Sequence, residues 1–86
     1  MPHHLSWTPA ARNSLATLWI IAAKRNAMTR AVYEIEQQLK ANPAKGEPVS
    51  EGLFKLTIHP VSLYYEIDED MSQVRVTGIG LIQGPP

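Results

Sequence analysis

Eighty-six residues, 44% hydrophobic and 19% charged, with eight Lys and Arg against eight Asp and Glu, describe one small globular domain of zero formal net charge. A protein that grips nucleic acid mainly through phosphates carries a clear basic excess, so this balance argues against autonomous DNA or RNA binding. The absence of cysteine excludes a disulfide framework and a thiolate zinc site.

The opening "MPHHLSWTPA" has neither a basic start nor a long apolar run, so no secretory signal is expected. The most apolar stretch, "LATLWIIAA", falls far short of the roughly 20 residues that span a bilayer. The expectation is a cytoplasmic chain without membrane contact. Residues 1–7 read as an edge strand. Thr8 then stands in an N-cap position with Pro9 in the first helical turn, a favoured pairing. Leu15, Leu18, Trp19 and Ala22 recur at helical spacing, widened by Ala11 and Ile21, which predicts an apolar stripe with Trp19 in the core. After "KRNA", Asn26 offers a cap for a second helix bearing Met28, Ala31, Val32, Ile35 and Leu39 on one face. Asn42-Pro43 ends it, because proline disfavours helical geometry in the residue before it. The segment 8–42 is thus a helical hairpin.

"AKGEPVSEG" reads as a loop. Beyond it, residues 53–80 alternate strictly. Phe54, Leu56 and Ile58 interleave with Lys55, Thr57 and His59. Val61, Leu63, Tyr65 and Ile67 interleave with Ser62, Tyr64 and Glu66. Val74 and Val76 interleave with Gln73, Arg75 and Thr77. Such alternation gives each strand one buried and one open face. The predicted architecture is α+β, a helical hairpin on a small antiparallel sheet in the order βααβββ, with 81–86 as a loose tail.

Three stretches carry a wider similarity: Trp7-Thr8-Pro9-Ala10-Ala11, the Asn42-Pro43 helix end with its glycine turn at Gly46, and Tyr65-Glu66-Ile67-Asp68. Through these, and along nearly its whole length, the chain resembles the RelE/ParE superfamily of bacterial toxins. The resemblance implies the toxin of a type II toxin–antitoxin module, neutralised by a cognate protein antitoxin, with any DNA contact made only indirectly through that antitoxin. It implies two chemistries on one scaffold. RelE-like members cleave messenger RNA on the ribosome, with basic and acid–base groups on the open sheet face; ParE-like members inhibit DNA gyrase without them.

RNA cleavage by a 2′-hydroxyl needs a base, cations for the phosphate and an acid for the leaving oxygen. The candidates for these roles are Lys55, His59, Tyr64 and Arg75. Lys55 matches a basic position of the family, yet a lysine stem lies equally well along a solvated face. His59 sits at a corner before Pro60, where a surface histidine needs no function. Arg75 pairs naturally with Glu66 across the strands. Ser62 stands where the nucleases place an arginine, and Gly80-Leu81-Ile82-Gln83 replaces their basic C-terminal segment. The expected function is therefore ParE-like, directed at gyrase, or a weakened nuclease. The alternatives are an orthodox ribosome-dependent endoribonuclease and a toxin-like scaffold that only binds proteins. No metal site is expected from His3, His4 and His59, since adjacent strand residues face opposite ways. No phosphate-cradling glycine loop is present, so no cofactor is expected.

Overall fold

The computed structural model describes residues 3–82. Strand β1 (His4–Trp7) turns Leu5 and Trp7 toward the core and leaves His4 and Ser6 exposed. Helix α1 (Pro9–Ile21) opens as its sequence predicts: Thr8 Oγ1 accepts the Ala11 N–H at 3.1 Å, with Pro9 in the first turn. Helix α2 (Arg25–Ala41) buries Met28, Ala31, Val32, Ile35 and Leu39, the face its spacing predicts. It begins one residue before Asn26, however, so Asn26 is not its cap. Lys24 holds that position without a side-chain hydrogen bond. Asn42 ends α2, and its side chain accepts the Ala44 N–H at the start of a 3-10 turn, Pro43–Lys45.

The α+β architecture stands, with two additions. A strand, β2 (Glu47–Ser50), occupies the predicted loop and pairs antiparallel with β3 (Leu53–Ile58). All four of its residues are exposed, so it has no apolar alternation to betray it, and Pro48 is tolerated because β2 is an edge. Strands β4 (Val61–Asp68) and β5 (Gln73–Leu81) complete a five-stranded sheet in the order β1-β5-β4-β3-β2. The β1–β5 pairing is parallel, which makes the sheet mixed. A four-residue edge strand carries no sequence mark of its partner or direction. β5 runs through Leu81, beyond the predicted start of a tail at 81; the remainder of that tail, 83–86, lies outside the described residues.

The core lies between α2 and the central strands, where Val61, Leu63, Tyr65, Val74 and Val76 are fully buried against Met28, Ile35 and Leu39. Tyr65 is the deepest polar group. Its hydroxyl donates to the Pro43 carbonyl at 2.6 Å and accepts from the Gly46 N–H, while its ring stacks on Phe54. Burial raises its pKa above the ordinary 10.0, and the Gly46 hydrogen bond opposes that only in part. The folded state therefore keeps this proton longer than the unfolded chain. Its stabilising effect is complete below pH 10 and is lost as pH rises through the folded value. We expect the melting temperature to fall above pH 10, and Tyr65→Phe to flatten that fall, in thermal melts between pH 8 and 11.

Helix α1 sits less deeply. It packs on β5 and buries only Ala11, while α2 crosses β3 and β4. The two helices splay, so their facing sides do not close on each other. Trp19, predicted for the core, is 45% exposed, and Ile21 is 68% exposed. Trp19 instead reaches across the splay, its indole N–H donating to Thr29 Oγ1 at 3.3 Å.

Candidate functional site

The open face of the sheet is built in rows. Lys55 lies opposite Tyr64, which lies opposite Gly78. Thr57 lies opposite Ser62, which lies opposite Gly80. Glu66 lies opposite Arg75. Between the last row and the others, β5 carries a bulge: Val76 faces Tyr65 and Gly78 faces Tyr64, which leaves Thr77 as the extra residue. Thr77 therefore does not continue the alternation of Gln73 and Arg75. Its hydroxyl reaches the Tyr64 carbonyl at 3.5 Å. The bulge shifts the phase of the strand, so that Val74 and Val76 before it, and Ile79 and Leu81 after it, all serve the core side. The sequence records this as apolar residues that change from even to odd positions.

One consequence is a bare centre. The two β5 positions that meet Tyr64 and Ser62 are glycines. A Cβ on Gly78 would touch the Tyr64 ring at 3.7 Å, and a Cβ on Gly80 would meet nothing within 4 Å. Ser62 is buried, and its hydroxyl is 2.7 Å from that of Thr57, so the two satisfy each other and offer no charge. Of the four candidates, Lys55 and Tyr64 are neighbours across β3 and β4. Arg75 lies one row from Tyr64, across the bulge, with its guanidinium 3.6 Å from the Glu66 carboxylate. Both partners are about half exposed, so this pair contributes on the order of 0–1 kcal/mol. His59 is at the opposite end, beyond β3. Tyr64 and Glu66 are two residues apart on β4, roughly 7 Å, whereas Lys55 and His59 are four residues apart, roughly 13 Å. The fold thus sets Lys55 and Tyr64 side by side, holds Arg75 one row away in its pair with Glu66, and leaves His59 apart at the β3–β4 corner. Among the described residues no group of three His, Asp or Glu is placed to hold a metal ion, and no helix is long and apolar enough to cross a membrane.

A second feature lies on the other side of the molecule. The splay of α1 and α2 opens a groove of about 670 Å³, floored by Leu15, Met28 and Val32 and flanked by Trp19, Ile20 and Tyr33. Its one lining carboxylate, Glu36, accepts the Trp7 indole N–H at 2.9 Å. Helical periodicity assigned Trp19 to the core and so concealed this surface. The run Trp19-Ile20-Ile21, too long for a single helical face, is the signal that α1 has apolar side chains left over.

Residues 5–80 match the family described as the ParE toxin of the type II toxin–antitoxin system parDE. The chain belongs to that family. Solved structures agree on the fold. The RelBE2 toxin–antitoxin complex of Mycobacterium tuberculosis contains a chain of 25% identity and TM-score 0.74, with 94% of this chain and 92% of that one aligned. A chromosomal ParDE system from P. aeruginosa gives 16% identity and TM-score 0.68 over 94% and 97% of the two chains. The isolated RelE toxin of E. coli gives 14% and 0.64 over 96% and 87%. No curated protein sequence matches the chain. This ParE-family protein is the toxin of a type II toxin–antitoxin system on the RelE/ParE scaffold.

Proposed function

We propose that this toxin arrests growth by binding a protein target, in the ParE manner directed at DNA gyrase, and that a cognate antitoxin neutralises it. The observation that carries the reading is the bare centre of the open face, where Ser62, Gly78 and Gly80 stand together. In-line attack on RNA concentrates negative charge on the phosphate, and that charge needs fixed cations beside it. A hydroxyl pair and two glycines supply none. Lys55 beside Tyr64 is one cation and one phenol, with no base in the same row. The toxin–antitoxin complexes among the fold's relatives support the antitoxin partner.

Brief induction of the toxin without its neighbouring gene, followed by sequencing of RNA 5′ ends, tests this. Growth arrest without new codon-phased cuts is the expected result. Lys55→Ala is expected to leave the arrest unchanged, within about twofold, because on this reading the sheet face carries no chemistry for Lys55 to support. Cuts at codon-phased positions that vanish in Lys55→Ala would instead establish ribosome-dependent cleavage. Absence of arrest would leave a scaffold that only binds proteins.

A further inference from the structure

A sheet that ends in a bare strand offers its unpaired N–H and C=O groups to any other strand. On one side of this sheet the helices answer that hazard. The Lys40 carbonyl of α2 accepts the His3 N–H ahead of β1. Beyond Trp7, where β1 stops pairing with β5, the chain enters α1, which packs on β5. The other side ends in β2, whose four residues are all exposed. Beneath it lies β3, Leu-Phe-Lys-Leu-Thr-Ile, with one charge and neither glycine nor proline. Such a segment pairs readily with copies of itself when its edge is open. β2 occupies that edge over residues 53–55.

β2 takes the edge without offering a good one in return. In an antiparallel ladder, successive residues face the partner strand and the outside by turns. Glu47 pairs with Lys55 and Pro48 with Phe54, and a proline has no N–H to give to β3. Pro48 therefore holds the outward position, where any other residue would present a donor to an incoming strand. The ladder then skips Val49 between Pro48 and Ser50, an irregularity that bends the strand and breaks its register. The segment is also fastened to the core. The buried Tyr65 hydroxyl donates to the Pro43 carbonyl and takes the Gly46 N–H, just ahead of β2.

We infer that residues 43–50 are a guard built onto the sheet, and that the partner they turn away is a second copy of this chain. A copy presents the same edge, so the competing contact is β2 laid antiparallel on β2, with the two sheets running on as one. Pro48 removes a donor from both copies at once. Charge does not keep the copies apart. Lys45 before the strand and Glu51 after it are opposite in sign, and an antiparallel pair brings opposite ends together. The backbone of β2 is what closes this edge. The inference is independent of what the toxin acts on.

The test is sedimentation of the isolated chain over a concentration series, for the unaltered protein, Pro48→Thr, and Pro48→Thr combined with Val49→Lys. Threonine restores the missing donor in each copy and suits an edge strand. The hydrogen bonds gained across the pair are expected to lower the concentration of half-association about tenfold or more. A lysine at position 49 sets like charges on both edges, and is expected to return the protein to the behaviour of the unaltered chain. Pro48→Thr that sediments as the unaltered chain does overturns the inference. Association that persists through Val49→Lys overturns it as well, because it then comes from a loosened fold and not from the edge.

Discussion

Gly46→Ala is expected to remove about 3 kcal/mol of stability, a large part of the roughly 5–10 kcal/mol that holds a domain of this size. The backbone angle is not the reason, since Gly46 has φ −74°, open to any residue. The reason is space. A Cβ there would overlap the Tyr65 hydroxyl and approach the Lys55 carbonyl oxygen to 2.8 Å. Neither neighbour can yield. The carbonyl is backbone, and Tyr65 has no exposed surface, stacks on Phe54 with 5.8 Å between ring centroids, and is anchored at Pro43. Overpacking costs about 1–3 kcal/mol, and breaking the buried hydroxyl's bonds costs about 1–3 kcal/mol more. Urea unfolding measures the sum. A loss below about 1 kcal/mol would mean that residues 43–47 move off the sheet freely and that Tyr65 does not clasp them.

Ile35→Ala is expected to cost about 3–4 kcal/mol, from lost transfer energy and the cavity left behind. Ile35 has no exposed surface, and it lies midway along the α2 face that covers the sheet. Ile20→Ala, the same loss of side chain on α1, is expected to change stability by no more than about 0.5 kcal/mol, because Ile20 is mostly in solvent. Unfolding both variants under one set of conditions checks the contrast. Similar costs would show that α1 is seated as deeply as α2. The contrast has a functional side: Ile20 and Ile21, which contribute so little to folding, stay free for a partner.

The elements that seat the core were legible because one physical rule decided each of them. Helix α2 declared itself through five apolar residues at helical spacing, and β3 and β4 through strict alternation. Thr8 and Pro9 marked the start of α1 through capping chemistry alone. Strand β2 was not legible. Its four residues are all exposed, and its pairing is a backbone matter that side-chain pattern does not record. Asn26 misled because a good cap residue forms a cap only where the chain geometry places it, and α2 had already begun.

The site divided in the same way. Ser62 and Gly80 were read from the sequence as uncharged positions on an open face, and the register places them opposite each other. The bulge at Thr77 sets Gly78 beside Tyr64 and leaves Arg75 with Glu66, and it arises from tertiary demand: Ile79 and Leu81 must join Val74 and Val76 on one side of the sheet. By itself the sequence determined the family, the secondary structure of the core and the poverty of charge on the sheet face, since these follow from residue type and local period. Only the tertiary structure decided that α1 and α2 splay, that Trp19 stays out of the core, and that an apolar groove opens between the helices, because those depend on which surfaces the sheet leaves uncovered.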